Sequence, residues 1–168
     1  WTEIFEGRLR IAEQMVRDAP PPTNTTYDVA PLAGAECLIA TLDGRPDSKL
    51  GKGQLAVRLL DEMGSRMHRV NFRMLCIWSH VQLGQFDSAQ SLIAEAHAIE
   101  SDRENFWQKP LLWALEGEIH RALGDEVSRK LAIAKALAAA RRGDYWYGFV
   151  YPFNFQAMCC YALETGID

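Results

Sequence analysis

Four cysteines have the widest chemical repertoire in this chain, because a thiolate can ligate a metal, attack an electrophile or form a disulfide. Three of them recur seven or eight residues before a glycine: Cys37 before Gly44, Cys76 before Gly84, and Cys159 before Gly166. Recurrence at one place in a repeat favours packing, since cysteine behaves as a small hydrophobe where two helices approach each other. The adjacent Cys159 and Cys160 offer a redox or metal-binding alternative, although neighbours on a helix point in different directions.

The four histidines do not form a recognisable metal-binding pattern. His80 and His120 each lie four residues before a glycine, whereas His68 and His97 lie elsewhere. A zinc site needs three or four converging ligands and usually a spacing such as H-E-x-x-H, which the sequence lacks. We therefore predict no metal site and expect these side chains at helix interfaces or on the surface; a pH-sensing pair is the alternative.

Sequence motifs of the common enzyme classes are also missing. The chain contains no G-x-S-x-G, no G-x-G-x-x-G and no deaminase-like H-x-E with C-x-x-C. The segment Gly51-Lys52-Gly53 lacks the earlier glycine of a phosphate-binding loop, since Pro46 stands at that position. Glutamates on a helical protein do not by themselves make a general acid/base pair. The sequence therefore predicts no catalytic residue and no cofactor.

The composition is that of one soluble globular domain, with 168 residues of which 48% are hydrophobic and 24% charged. The formal net charge of −4 argues against nucleic-acid contacts, because phosphate binding requires an excess of positive charge. No apolar run approaches the ~20 residues of a membrane span, and no signal segment opens the chain. We expect a cytoplasmic protein that does not contact membranes and, since the chain starts at Trp1, a fragment of a longer protein.

Four segments that end in glycine resemble one another and indicate an internal repeat. They cover 35–44, 76–84, 116–124 and 159–166, and their glycines are 40, 40 and 42 residues apart. Each segment is typical of a helix that ends at a glycine in the left-handed conformation. A proline lies 13 or 14 residues before three of these glycines, at Pro31, Pro110 and Pro152. This spacing predicts proline at the first helical position, where a missing N–H costs nothing.

A second amphipathic stretch follows each of the first three glycines, at 54–66, 86–99 and 127–142, so the repeating unit is predicted to be a two-helix hairpin. In the middle stretch an apolar stripe of Phe86, Ala89, Ile93 and Ala96 opposes Asp87, Gln90 and Glu95. A lone helix over 4–16 precedes the first hairpin, whose two helices are separated by a loop over 45–53.

We predict an all-α fold of about eight helices in a single domain covering 1–168. The repeat divides it into a half unit at 1–19, units at 30–67, 70–100 and 110–142, and a half unit at 152–166.

The turn Gly84-x-Phe86-Asp87-x-Ala89, followed by Ile93 and Ala96, resembles the tetratricopeptide repeat. Gly117 matches the small-residue position of that pattern, whereas Arg129 replaces the alanine expected after the turn. The unit of about 40 residues and the stretch 111–142, with its Leu-Gly-Asp turn and Ala-rich helix, are similar to the divergent repeats of large bacterial transcription regulators of the maltose-activator type. The resemblance implies a right-handed α-superhelix in which first helices line a concave groove.

By analogy with that repeat pattern, the groove is predicted to bind a ligand or partner through Asn71, Met74, Trp78, Gln82, Glu118, Arg121 and Gln156. Trp78 has the character of a hot-spot anchor, because the neighbouring Cys76 and Ile77 already supply core; burial between repeats is the alternative reading.

An aromatic segment precedes and enters the last predicted helix. Seven of the chain's 17 aromatic residues lie within 11 residues, between Tyr145 and Phe155. A connection this short does not bury them all by itself. We expect these aromatics to pack onto the last hairpin. The alternative is a protein interface, with the next repeat or with a second copy of the chain, formed by Tyr145, Trp146, Tyr147, Phe149 and Tyr151.

These expectations together favour a non-catalytic module that binds a protein or peptide, as the sensor or docking domain of a bacterial signalling or transcription regulator. Its partner would be a separate protein, another domain of the same parent chain, or a second copy in a homodimer. A small-molecule effector sensor is the second reading, and an enzyme built on a helical scaffold is the third.

Overall fold

The computed structural model describes residues 2–5, 7–21, 26–64, 66–100, 108–143 and 165–166. Within these residues the chain forms no strand and eight α-helices: α1 Thr2–Phe5, α2 Leu9–Arg17, α3 Thr26–Leu42, α4 Leu50–Glu62, α5 Arg66–Gln82, α6 Phe86–Glu100, α7 Lys109–Leu123 and α8 Glu126–Gly143. A short 3-10 helix, Pro46–Ser48, lies between α3 and α4. The predicted all-α fold is confirmed.

The chain divides into two compact units, residues 1–85 and 86–168. The first contains α1 to α5, and the second contains α6 to α8. Two of the predicted repeat units, 30–67 and 110–142, each fall within one compact unit as a pair of packed helices, α3 with α4 and α7 with α8. The predicted unit 70–100 is divided between the two.

Helix α3 is the centre of the first unit and contacts α2, α4 and α5. Most of its buried residues are small: Ala30, Ala33, Gly34, Ala35, Cys37 and Ala40. Small side chains let helix axes approach closely, because the distance between axes depends on the residues at the contact. At Gly34 the fit is so close that an added Cβ would overlap the ring of Phe72 on α5.

A partly buried ion pair joins α4 to α5. The guanidinium of Arg73, which is 5% exposed, donates to the two carboxylate oxygens of Asp61 at 2.9 and 2.7 Å. Arg69 donates to the same carboxylate. Burial favours the neutral acid, but the hydrogen bonds from Arg73 and Arg69 outweigh it and lower the pKa of Asp61.

Helix α7 is the centre of the second unit and contacts α6 and α8. Gly117 on α7 faces Ile133 on α8, and an added Cβ would lie 2.9 Å from Cδ1 of that isoleucine. The small residue predicted at this position therefore lets the two helices approach. On α6 the predicted stripe is confirmed at Ala89, Ile93 and Ala96, which are buried, while Phe86 is half-buried. The opposite polar face is exposed.

The predicted glycine turns are confirmed. Gly44, Gly84, Gly124 and Gly166 have φ values of 71°, 69°, 73° and 65°. At the end of α7 the N–H of Gly124 donates to the carbonyl of Arg121 at 3.2 Å, and that of Asp125 donates to His120 at 2.9 Å. The same pair of bonds follows α3 and α5. This arrangement satisfies carbonyls that a helix end would otherwise leave unpaired.

Several predicted boundaries are wrong. Gly7, with φ 74°, divides the predicted lone helix into α1 and α2. Pro31 lies inside α3 rather than at its first position, because α3 begins five residues earlier and tolerates the loss of one backbone hydrogen bond. The predicted loop over 45–53 contains the 3-10 helix and the start of α4. Helix α4 ends at Glu62, before Gly64 with φ 67°, and α5 begins at Arg66 rather than at residue 70.

Replacing Gly124 with valine is expected to lower the free energy of unfolding by about 1 kcal/mol or more, because a β-branched residue is strained at positive φ. Thermal or urea unfolding of the purified chain measures the effect. Gly124→Asn is the matched control, since asparagine tolerates the left-handed conformation. Equal stability of the two variants would contradict the assignment of this turn.

Asp61→Asn is expected to lower the free energy of unfolding at pH 7 by about 2 kcal/mol, because it removes the carboxylate from a buried guanidinium. The folded-state pKa of Asp61 is lowered, so this stabilisation is complete above the unfolded-state value of about 3.9 and is lost as the pH falls through the folded-state value. Urea unfolding from pH 7 to pH 3 checks both points. A difference between the two proteins that does not shrink with acid would contradict this account.

Candidate functional site

The four groove residues predicted on α5 differ in exposure. Gln82 is exposed, and Asn71 and Trp78 are half-buried. Met74 has no exposed surface, so its assignment to the groove is wrong and its side chain belongs to the core. The reason is that residues 72–77 of α5 are all buried, which leaves no continuous open face along the middle of this helix.

The two groove residues predicted on α7 form an ion pair with each other. Arg121 Nε donates to Glu118 Oε2 at 2.9 Å, and their side chains are 53% and 22% exposed. Exposed pairs of this kind contribute little to stability, so a partner could replace this ion pair at small cost. Gln156 lies outside the described residues, and so do the five aromatic residues of the alternative interface, Tyr145, Trp146, Tyr147, Phe149 and Tyr151.

Three large apolar residues of the α7–α8 hairpin face solvent, and we refer to them as the apolar strip. Val127 is 83% exposed, Leu131 is 57% exposed and Leu123 is 51% exposed. Val127 and Leu131 are four residues apart on α8 and therefore lie on one face of the helix. Leu123 is the last residue of α7, just before the turn. Charged side chains flank them, since Glu126 and Lys130 are exposed.

Sequence reasoning missed the apolar strip because it assigned a single apolar face to the helix now seen as α8. Its buried face consists of Ala132, Ile133, Ala136 and Ala140. Val127 and Leu131 form a second line, offset by one residue from the first and hence rotated by about 100° around the helix. The available signal was an excess of apolar residues over what one buried face requires.

The first unit contains a cleft of about 280 Å³, which we refer to as the charged cleft. Val16, Ile39 and Ala40 form its apolar part, and five ionisable residues surround it: Glu13, Arg17, Glu36, Arg45 and Lys49. Glu13 is only loosely paired, with nitrogens of Arg45 and Arg17 at 3.8 and 4.0 Å. The walls of the charged cleft therefore carry both positive and negative charges beside an apolar surface.

Two lysines hold Glu36 in the charged cleft. Lys49 Nζ donates to its carboxylate at 2.7 Å, and Lys52 Nζ lies 3.4 Å away. Partial burial favours the neutral acid, but the two ammonium groups outweigh it and lower the pKa of Glu36. The group is therefore a carboxylate at neutral pH.

In the second unit, Glu116 lies between two histidines. Its carboxylate oxygens are 3.7 Å from His97 Nε2 and 3.8 Å from His120 Nε2. The ring of His97 also packs on Trp113, with 4.4 Å between ring centroids. No group of three or more His, Cys, Asp or Glu side chains among the described residues is arranged to hold a metal ion.

The first unit buries two cysteines side by side, and we refer to them and their hydroxyl neighbours Thr41 and Ser79 as the dithiol cluster. Cys37 on α3 and Cys76 on α5 are 0% and 1% exposed free thiols. Both face Gly53 on α4, where an added Cβ would lie 2.7 Å from one sulfur and 2.9 Å from the other. The packing role predicted for these two cysteines is confirmed. The small residue that they pack against is Gly53, which lies on α4, a third helix.

Hydrogen bonds make the two thiols chemically unequal. The bond between them lowers the pKa of Cys37, and the nearby hydroxyls of Ser79 and Thr41 act in the same direction against the effect of burial. The same bond and burial raise the pKa of Cys76. Ser79 Oγ is 3.6 Å from the sulfur of Cys37 and 2.8 Å from Thr41 Oγ1. The sulfur of Cys37 is therefore the first to ionise.

Comparisons with known proteins assign neither a family nor a function: no family model, no curated protein and no solved structure matches this chain. The helices that the structure describes include none with the length and apolar character needed to cross a membrane.

Two glycines of α4 form a matched test of the dithiol cluster. Gly53→Ala is expected to destabilise the protein by about 1 to 3 kcal/mol, because the new Cβ has no room beside two sulfurs. Gly51→Ala is expected to stabilise it by up to about 1 kcal/mol, since a Cβ at residue 51 meets no atom within 4 Å and alanine favours the helix. Urea unfolding of both variants provides the measurement. Effects of the same sign would show that the packing around Gly53 is incorrectly described.

Proposed function

We propose that this chain is a non-catalytic helical-repeat module that binds a protein or peptide. The apolar strip is the observation that carries the proposal, because Val127, Leu131 and Leu123 each expose more than half of their surface. Grouped large apolar side chains with a charged rim are typical of surfaces that bind another protein. A partner helix packed along α8 would remove this surface from water.

The wider role that we propose is that of a sensor or docking domain in a cytoplasmic bacterial signalling or transcription regulator. This part rests on the resemblance of the 40-residue units to the tetratricopeptide-like repeats of such regulators, together with the right-handed superhelix that the resemblance implies. Stacked hairpins suit docking, because a repeat buries its apolar surface against a neighbour and its end faces require a cover. The partner is then another protein, another domain of the parent chain, or a second copy.

A second candidate function is the binding of a small effector, and the charged cleft favours it. The cleft combines basic groups, a loosely paired carboxylate and an apolar surface in about 280 Å³. A small molecule with an anionic group, an amino group and an apolar part would match each of these features.

The double variant Val127→Glu with Leu131→Glu tests the docking proposal. Lys130→Glu is the matched control, because it makes the same change in net charge at an exposed position of the same helix. A protein retained by the wild-type chain from cell extract is purified and its affinity for each variant is measured. We expect the double variant to bind at least ten-fold more weakly, the loss that corresponds to about 1.4 kcal/mol, and the control to bind nearly as well as the wild type.

Native mass spectrometry of the purified chain accompanies this measurement and reports self-association and bound small molecules together. A dimer that the double variant converts to a monomer would identify a second copy as the partner. If the chain is a monomer and every retained protein binds the double variant as tightly as the wild type, the docking proposal is wrong. A monomer that carries a defined small molecule, lost on Arg45→Ala, would favour the second candidate instead.

A further inference from the structure

The dithiol cluster has more chemistry than packing requires. An apolar side chain would fill the same space, whereas here two sulfurs on different helices converge on one point beside Gly53. Ser79 Oγ has three partners within reach, namely the carbonyl of Leu75 at 3.0 Å, Thr41 Oγ1 at 2.8 Å and the sulfur of Cys37 at 3.6 Å. Since a hydroxyl has one proton, it can turn that proton toward Cys37 when the thiol ionises.

We propose that Cys37 and Cys76 are a redox modification site, at which hydrogen peroxide oxidises the two thiols to a reversible disulfide that joins α3 to α5. The proposal is independent of the proposed function, since it concerns the interior of the first unit and no binding surface.

The two steps balance with peroxide as the oxidant. The Cys37 thiolate attacks one peroxide oxygen, the O–O bond breaks, and the leaving hydroxide takes a proton to form water, which leaves a sulfenic acid on Cys37. The sulfur of Cys76 then attacks the sulfur of that sulfenic acid, the S–O bond breaks, and a second water leaves with the thiol proton. Both sulfurs are oxidised and one peroxide is reduced. A dithiol reductant such as dithiothreitol reverses the product.

The order of the two cysteines follows from their surroundings. Cys37 is the sulfur with the Ser79 hydroxyl within 3.6 Å and it ionises first, so it attacks the peroxide. Cys76 is held in contact with it and keeps its proton, so it is the resolving thiol. Both sulfurs face the same point at Gly53, so the second step joins two groups that the fold already holds together, which favours the disulfide over further oxidation of the sulfenic acid.

Peroxide reaches these buried sulfurs through the first turn of α4. That turn covers the cluster with Gly53, and it contains a second glycine at position 51. Glycine destabilises a helix interior relative to alanine. The N-cap residue, Lys49, makes no side-chain capping bond, because an ammonium group has no acceptor for the free N–H groups of the first turn. A turn with two glycines and no cap opens more readily than the helices on either side.

The test is peroxide treatment of the full, reduced chain under native conditions, followed by alkylation of the remaining thiols and tryptic mapping. Trypsin places Cys37, Cys76 and the pair Cys159–Cys160 on three different peptides, residues 18–49, 74–103 and 143–168. We expect a disulfide between the first two peptides that disappears after dithiothreitol. In Cys76→Ser the disulfide is expected to be absent and Cys37 to be trapped as a sulfenic acid by dimedone.

Gly51→Ala tests the entry path without altering either thiol. Oxidation of Cys37 is expected to slow about five-fold, the factor that corresponds to the ~1 kcal/mol preference of a helix for alanine over glycine. The wild-type rate is expected to be nearly independent of low urea concentrations, because local opening exposes little surface.

Three results would overturn the inference. In the first, Cys37 and Cys76 stay reduced in the folded chain at peroxide concentrations that oxidise an exposed thiol. In the second, the only disulfides formed involve Cys159 or Cys160. In the third, the oxidation rate rises with urea in proportion to the unfolded fraction, which would mean that the thiols react only in the unfolded chain.

Discussion

Close approach of helices at positions without a side chain is the constraint on which this structure depends. Gly34 admits the ring of Phe72, Gly53 admits two sulfurs, and Gly117 admits the end of Ile133. At each point an added methyl group has no room unless a neighbour moves. Glycines without a Cβ therefore set the spacing between α3, α4 and α5, and another glycine sets the spacing between α7 and α8. The gain is tight packing between short helices. The cost is that glycine in a helix interior weakens the helix that contains it.

The same small residues explain why the chain exposes apolar surface. A helix rich in alanine buries one face by close contact and has many apolar positions left over, as α8 does with Ala132, Ala136 and Ala140 inside and Val127 and Leu131 outside. In an isolated hairpin that second face contributes nothing to folding. In a repeat protein it is where the next element packs. Exposure at the apolar strip therefore follows from the mode of packing, and it also supplies the surface that our proposed function uses.

Periodic features were predictable from the sequence, and features that depend on three elements at once were not. The left-handed glycines and the stripe on α6 recur at fixed spacing, so local rules were sufficient to find them. Met74 lies in the predicted groove pattern, but it belongs to a run of buried residues, 72–77, in the middle of α5. The convergence of Cys37 and Cys76 on Gly53 joins residues from three helices. These three residues meet only in the packed structure, since no regular sequence spacing predicts that Gly53 contacts both cysteines.

Packing and reactivity at the dithiol cluster have a common origin. Room for two sulfurs requires a glycine on α4. That glycine and Gly51, one half-turn earlier, weaken the turn that covers the sulfurs. A bulkier residue at position 53 would strengthen α4 but would separate it from α3 and α5. Two larger side chains in place of the cysteines would not fit against the glycine. The chain therefore keeps two polarisable thiols beneath a turn weakened by glycine, and the hydroxyls of Ser79 and Thr41 keep one of those thiols easier to ionise than the other.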